Sequence, residues 1–239
     1  MTVDIFIPCF IDQVYPDTGF SMVKILEKIG MKVKYNTEQT CCGQPAFNSG
    51  YWDEARKVAR KFIMDFPYDR PIISPSASCT AFVKNHYSEL MENSDSLYDH
   101  DKISKNLFEL TDFLVNKMKI TNLGARFKAK VTVHDSCAAL REYGLTHEPR
   151  TLLKNVEGLE IIEMQDPDTC CGFGGTFAIK YEPISTAMAQ QKIENAINSG
   201  AEYIVSTEGS CLMQLDGYIK KNNLPIKTIH IADILASGY

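Results

Sequence analysis

Residues 40–51 read TCCGQPAFNSGY, and residues 169–181 read TCCGFGGTFAIKY. Each segment has two adjacent cysteines, a glycine and, further along, a Phe-x-x-x-Tyr spacing, so the two segments are copies of one element. One more cysteine lies upstream of each copy and another lies downstream, and these positions account for all 8 cysteines of the chain. The first set is Cys9, Cys41, Cys42 and Cys79, and the second set is Cys137, Cys170, Cys171 and Cys211. Two equivalent sets of thiols predict a pair of metal or iron–sulfur sites.

The sequence around the cysteines repeats as well. In each half a short strand leads to the first cysteine, a helix and a strand lead to the Cys-Cys-Gly triplet, and a helix and a strand lead to the last cysteine. The matching predicted strands are 5–7 and 131–133, 32–35 and 160–163, and 72–74 and 204–206; the matching predicted helices are 17–29 and a segment that ends before Gly158, and 52–62 and 184–198. A duplication explains this order.

Strands that alternate with helices predict βαβ units and parallel sheets. We therefore expect an α/β fold with two duplicated βαβ halves, residues 1–124 and 125–239, related by a pseudo-two-fold axis. Each half should have a mostly parallel sheet flanked by helices. Sites in open α/β sheets form at the carboxyl ends of strands, so the four thiols of each half should converge at one edge. Residues 117–128 are expected to connect the halves, and the acidic stretch 92–101 is expected to form a solvated loop.

The composition is that of an ordinary soluble protein, with 44% hydrophobic and 23% charged residues. A formal net charge of −5 argues against a nucleic-acid partner, because such a partner requires a basic surface. The amino terminus reads MTVDIFIPC without a basic leader, and no stretch approaches the about 20 apolar residues of a membrane span. We therefore expect a cytoplasmic protein with no membrane span, in which reduced thiols bind metal rather than form disulfides.

The spacing of the cysteines favours iron–sulfur clusters over zinc. Structural zinc sites commonly use Cys-x-x-Cys pairs, and this sequence has no such pair. Adjacent cysteines do not easily occupy two corners of the tetrahedron around one ion, whereas they can reach two iron atoms of a larger cluster. A zinc-stabilised or metal-free interaction module remains an alternative, and so do buried structural thiols and a Cys41–Cys42 disulfide.

Several residues near the cysteines are candidate cofactor-binding groups. Glycines let the backbone pass close to a bulky cofactor and direct N–H groups toward its sulfurs. The serine that precedes the last cysteine of each half adds a hydrogen-bond donor. A histidine shortly before Cys137 could contact the cofactor or handle protons, although we expect it to be a hydrogen-bonded structural residue rather than a ligand. These candidates are Gly43, Gly172, Gly174, Gly175, Ser78, Ser210 and His134. The glycine run does not match a dinucleotide-binding motif, and the sequence identifies no catalytic residue.

The chain resembles the CCG-domain (cysteine-rich domain) iron–sulfur proteins over nearly its whole length. The resemblance rests on the two quoted segments, on His134-Asp135-Ser136-Cys137 and on Gly209-Ser210-Cys211. It is strongest toward the lactate-utilisation members of the family. The cysteine-rich subunit of heterodisulfide reductase and the iron–sulfur subunit of glycolate oxidase are related to them.

The resemblance implies a cytoplasmic iron–sulfur subunit of an oxidoreductase complex that oxidises L-lactate or another 2-hydroxy acid. Such a subunit would relay electrons through [4Fe–4S]-type clusters, one in each half, with the two sets of cysteines as ligands. The implied partners are a ferredoxin-like iron–sulfur protein and a third small subunit.

The chain departs from the heterodisulfide reductase pattern at two positions. That pattern ends each half with Cys-x-x-Cys, whereas the first position of the motif is Ser76 in one half and Glu208 in the other. Four thiols can hold an ordinary cluster, but the unusual non-cubane cluster of that branch loses a ligand. We therefore expect an electron relay and keep heterodisulfide-reductase-like thiol/disulfide chemistry as the alternative.

Overall fold

The computed structural model describes residues 1–66, 69–91 and 96–239, and it contains two four-stranded, all-parallel sheets. The strands are β1 (Thr2–Ile5), β2 (Lys32–Tyr35), β3 (Ile72–Ser74), β4 (Leu107–Glu109), β5 (Arg126–Val133), β6 (Glu157–Ile161), β7 (Tyr203–Ser206) and β8 (Lys227–His230). The first sheet has the order β2-β1-β3-β4, and the second has the order β6-β5-β7-β8. Because the two orders correspond strand by strand, the predicted α/β fold with two similar halves is confirmed.

Helices follow the strands in both halves. They are α1 (Cys9–Val14), α2 (Pro16–Lys28), α3 (Gln44–Asn48), α4 (Trp52–Asp65), α5 (Ala77–Leu90), α6 (Ser96–Asn106), α7 (Leu110–Asp112), α8 (Glu148–Leu153), α9 (Phe177–Lys180), α10 (Glu182–Asn198), α11 (Gly209–Lys221) and α12 (Ile231–Leu235). Two π-helical turns, Phe113–Lys117 and Ala138–Tyr143, complete the set. The helix predicted over 17–29 is α2, and its buried residues Met22, Ile25 and Leu26 recur at helical spacing.

The two halves pack against each other through a common hydrophobic core. Met22 of the first half belongs to the same buried cluster as Val133 and Ile231 of the second half. At the edge of this core the hydroxyl of Thr18 donates a hydrogen bond to Oδ2 of Asp233 at 2.9 Å. The continuous core fixes the halves relative to each other, so groups from both halves can build one site.

Each half also has a smaller core of its own, and the last two cysteines of the half lie in it. Cys42 and Cys79 pack in the cluster of the first half, and Cys171 and Cys211 pack in that of the second. These thiols are therefore held by apolar neighbours on one side.

Two sequence-based predictions of local structure differ from the structure. The strand expected at 160–163 is β6, which begins earlier, at Glu157, and therefore includes Gly158; the helix expected before Gly158 is α8, which ends at Leu153. Residues 96–101 of the predicted acidic loop belong to α6, in which His100 is buried, while residues 92–95 lie outside the described residues. In both places the neighbouring sheet and core decide the local conformation, and propensity does not.

Among the helices of the described residues, none has the length and apolar character that crossing a membrane requires.

Candidate metal centre

The topology brings the cysteines of each half to one edge of its sheet. In the first half Cys9 is the first residue of α1 after β1, the Cys41–Cys42 pair lies between β2 and α3, and Cys79 lies in the first turn of α5 after β3. The corresponding positions of the second half are Cys137 after β5, the Cys170–Cys171 pair after β6, and Cys211 in the first turn of α11 after β7. The carboxyl ends of parallel strands meet at one edge, which is where open α/β sheets place their sites.

The four thiols of the first half form a connected group. The sulfurs of Cys9 and Cys41 are 3.8 Å apart, and the backbone N–H of Gly43 donates to the Cys41 sulfur at 3.4 Å. Hydrogen bonds from the thiols of Cys42 and Cys9 and from backbone N–H groups lower the pKa of Cys41 to about 3. The pKa values of Cys9 and Cys42 are raised, because each donates to Cys41 and because Cys9 is partly and Cys42 fully buried. The group therefore concentrates negative charge on Cys41.

The second half repeats this arrangement. The backbone N–H of Gly172 donates to the Cys170 sulfur at 3.4 Å. Hydrogen bonds from the thiols of Cys137 and Cys171 lower the pKa of Cys170 to about 2, and the pKa values of the two donors are raised. A hydrogen bond from Cys171 is also the largest cause that lowers the pKa of Cys211 to about 7. The first cysteine of each adjacent pair, Cys41 or Cys170, therefore has the most strongly lowered pKa of its half.

The two groups of thiols open onto one cavity of about 670 Å³ between the halves, and all eight cysteines line it. Gly174, Gly175, Ser78 and Ser210 line the same cavity. The structure therefore brings most of the candidate residues identified in the sequence to a single place. Soft thiolate donors that converge in this way fit an iron–sulfur cluster or another thiophilic metal.

The glycine after each cysteine pair is required by the backbone. Gly43 and Gly172 have φ angles of +92° and +89°, a region that favours glycine. A Cβ atom on Gly172 would also lie 2.4 Å from the carbonyl oxygen of Ser185. The left-handed turn directs the glycine N–H back onto the first sulfur of the pair.

Ser76 and Glu208, the residues at the two departures from the heterodisulfide reductase pattern, meet between the halves. The Ser76 hydroxyl donates to the Glu208 carboxylate at 3.2 Å, and the backbone N–H of Ser78 donates to the same carboxylate at 2.9 Å. The hydroxyl of Ser210 donates to Glu208 Oε1 at 3.0 Å. Ser76 caps α5, and Glu208 caps α11. The sequence shows that the positions are equivalent, but it gives no signal that they touch.

His134 lies at the thiols of the second half only. Its imidazole is buried, and within the described part of the chain neither ring nitrogen has a hydrogen-bond partner of ordinary geometry. A ring nitrogen and the sulfurs of Cys171 and Cys211 all lie within 4.8 Å of one another. The imidazole therefore faces the thiols rather than a polar group of the described residues, and the expectation of a structural role for His134 stays a prediction.

Lys192 is a further buried group near the second set that sequence reasoning missed. Its side chain is fully buried, and Nζ donates to the backbone oxygen of Asp166 at 2.6 Å. Burial lowers its pKa, while Asp168 and the Cys171 thiol oppose that shift. Its burial could have been found from its position in the sequence, since Lys192 lies on the same buried face of α10 as Ala189 and Ile193.

Comparison with known proteins identifies the arrangement. The model of the CCG cysteine-rich domain matches residues 3–84 and 131–216, that is, one copy in each half. The chain belongs to the CCG cysteine-rich domain family. The two matched segments contain both sets of cysteines, so the duplicated unit recognised in the sequence is the family's domain.

Several curated proteins resemble the chain over almost its whole length. The chain is 40% identical to lactate utilization protein A of Halalkalibacterium halodurans over 236 residues, which cover 98% of this chain and 96% of that protein. It is 38% identical to lactate utilization protein A of Macrococcus caseolyticus, again over 98% of this chain and 96% of that protein. Its identity to lactate utilization protein A 2 of Bacillus cereus is 37%, over 100% of this chain and 99% of that protein.

A solved structure also shares the fold. The chain is similar to a hypothetical protein from Helicobacter pylori, with a TM-score of 0.62 and 9% sequence identity. The match covers 100% of this chain and 49% of that one, so the chain spans about half the length of that protein. At this identity the likeness concerns the fold alone.

Proposed function

We propose that this CCG-domain protein is the iron–sulfur subunit of a cytoplasmic system that oxidises L-lactate, and that it relays electrons. The observation that carries the proposal is the convergence of all eight cysteines on one cavity between the halves. Lactate is the substrate suggested by relatives of nearly equal length named lactate utilization protein A.

In this proposal each half holds one [4Fe–4S]-type cluster. The ligands would be Cys9, Cys41, Cys42 and Cys79 in the first half, and Cys137, Cys170, Cys171 and Cys211 in the second. A cluster of this kind takes up and releases single electrons when it is bound. The chain itself supplies the thiolates, the N–H groups of Gly43 and Gly172 that point at sulfur, and apolar walls that exclude water.

We propose electron transfer as the role of this chain because a cluster held by thiolates takes up and releases single electrons. Removal of hydride from lactate would then take place with another subunit. We propose as partners a ferredoxin-like iron–sulfur protein and a third small subunit of the same system.

A zinc-holding module is the second candidate, and one arrangement favours it. His134, Cys171 and Cys211 lie close enough together to ligate a single metal ion, and zinc accepts this combination of donors. The first half has no such histidine at the corresponding position, where Phe6 stands. This candidate therefore predicts about one zinc per chain, bound by the second half.

Metal analysis after anaerobic purification separates the two candidates. The proposal predicts a brown protein with a broad absorption shoulder near about 400 nm and equal amounts of iron and acid-labile sulfide. A colourless protein that holds zinc or no metal under strict anaerobiosis would contradict it. Turnover of a heterodisulfide by the isolated chain would instead support thiol/disulfide chemistry.

The lactate assignment needs its own test. The protein should copurify with its partner subunits, and the assembled complex should reduce an electron acceptor when L-lactate is added. A complex that is active with glycolate and inactive with L-lactate would keep the electron-relay role and contradict the substrate.

A further inference from the structure

The two sets of thiols are equivalent, but the groups behind them are not. Phe6 lies three residues before Cys9, and His134 lies three residues before Cys137. Phe62 and Lys192 also correspond, since they follow the matching residues Tyr51 and Tyr181 by the same number of positions. Two aromatic residues of the first half are therefore a histidine and a lysine in the second.

In the first half these positions form a dry aromatic contact. The rings of Phe6 and Phe62 meet edge to face with their centroids 4.9 Å apart, and both side chains are almost completely buried. They pack in the same cluster as Cys42 and Cys79. At these two positions hydrocarbon therefore lies behind the sulfurs. The Tyr87 hydroxyl of the same cluster donates to the backbone oxygen of Cys42 at 2.7 Å and not to a sulfur.

In the second half the same positions offer donors. A neutral imidazole carries one N–H group. A ring nitrogen of His134 lies within 4.8 Å of the sulfurs of Cys171 and Cys211, and neither ring nitrogen has a hydrogen-bond partner of ordinary geometry within residues 1–66, 69–91 and 96–239. In the tautomer that is protonated on this nitrogen, the imidazole donates toward sulfur. Lys192 is completely buried, and its neighbour Ile193 packs in the same cluster as Cys171 and Cys211. Hydrogen bonds to sulfur and nearby positive charge stabilise the reduced state of an iron–sulfur cluster, because reduction adds negative charge.

We infer that the two sites differ in reduction potential, and that the second site, with His134 and Lys192 behind it, has the higher potential. The inference rests on the proposed function, since it requires a cluster in each half. A single electron supplied by dithionite, which is oxidised in the step, then reduces the second site before the first. The protein thus has a direction for electron transfer built into its sequence, from the first half to the second.

The acidic groups near the second site do not reverse this order. Glu208 accepts hydrogen bonds from the backbone of Ser78 in the first half and from the Ser210 hydroxyl in the second, so its charge acts on both sites. Asp135 makes a two-point contact with Arg150, at 2.8 and 2.9 Å, and Arg150 also pairs with Glu163. Asp168 and Asp166 act on Lys192 and offset part of its charge. The hydrogen bond that His134 can donate needs no charge, so the difference between the sites rests first on the histidine and second on the lysine.

The test measures each site alone in reconstituted full-length protein. Cys170→Ala leaves the first site, Cys41→Ala leaves the second, and an EPR-monitored dithionite titration gives the midpoint potential of each. We expect the second site to be reduced at a potential higher by at least about 59 mV, which is a tenfold preference for a one-electron couple.

Exchange of the residues should move the potentials in opposite directions. His134→Phe in the second-site protein should lower the midpoint, and Phe6→His in the first-site protein should raise it. Lys192→Met, which keeps the side chain close to its original length, should also lower the midpoint potential of the second site. It replaces His134→Phe in the test if that variant does not fold. The iron content of each variant shows that its cluster is retained.

The outcomes separate this inference from the proposed function. Sites loaded with iron that have equal midpoints, or a higher midpoint at the first site, overturn the inference and leave the electron-relay role intact. Midpoints that are unequal but indifferent to His134→Phe and Lys192→Met overturn it as well. A protein that binds no iron overturns the proposed function and this inference together.

Discussion

Replacing Glu208 with alanine should weaken the contact between the two halves. The carboxylate is buried, and it accepts hydrogen bonds from the Ser78 backbone N–H at 2.9 Å and from the hydroxyls of Ser76 and Ser210 at 3.2 and 3.0 Å. It also forms the side-chain cap of α11. In the variant the hydroxyls can rotate toward other acceptors, but the Ser78 N–H group cannot.

The size of the effect follows from these contacts. An unsatisfied buried donor costs about 1–3 kcal/mol, and loss of the helix cap costs about 1 kcal/mol more. Part of this is offset, because the carboxylate no longer has to be kept out of water. The free energy of unfolding should therefore fall by about 2–3 kcal/mol, which for a chain of this length lowers Tm by roughly 4–12 °C.

Thermal unfolding of the apoprotein, followed by circular dichroism, measures this change. Glu208→Gln is the matched control, because its amide oxygen can still accept from Ser78, and it should lose less than about 1 kcal/mol. Glu194→Ala, on the exposed face of α10, should leave Tm unchanged. If the Tm of Glu208→Ala equals that of the wild type, this carboxylate does not stabilise the contact between the halves.

Two more predictions concern the cysteine loops. Gly172→Ala should destabilise the protein by about 2 kcal/mol or more, because alanine must adopt a left-handed conformation there and its Cβ would lie against the Ser185 oxygen. Gly200→Ala is the control: its φ is similar but the space around it is open, so it should cost only about 1 kcal/mol. Equal melting temperatures of the two variants would contradict the steric argument. Iodoacetamide at pH 6 should alkylate Cys41 and Cys170 of the apoprotein first, because their lowered pKa values keep them thiolates until the pH falls to about 3 and about 2. Mass spectrometry of peptides identifies the labelled cysteines, and labelling that starts only above pH 8 would contradict those shifts.

Much of the fold is predictable because the sequence repeats. The strands expected at 32–35 and 72–74 are β2 and β3, and the edge at which the thiols gather follows from the rule for parallel sheets. The strand expected at 160–163 begins earlier, at Glu157, because Glu157 and Leu159 pair with the neighbouring strand β5, and contact between strands decides the conformation there. The boundary between the halves near residue 124 stays a prediction.

The residues around the thiols are less predictable. The sequence places Ser76 and Glu208 at equivalent positions in the two repeats, but their contact depends on how the halves pack. His134 is identified from its motif, yet its missing hydrogen-bond partner among the described residues is a property of the folded core. Lys192 has no motif at all, and only the buried face of α10 shows that it lies inside. Local patterns predict elements, whereas contacts between the halves are set by tertiary packing.

The number of iron atoms in variants that disable one half tests the central claim most directly. If each half holds its own [4Fe–4S]-type cluster, the reconstituted wild type should contain about eight iron atoms per chain, and Cys41→Ala and Cys170→Ala should each contain about four. The double variant should contain none. If either single variant keeps the iron content of the wild type, or if either one loses all its iron, the two sets of cysteines do not hold two independent clusters.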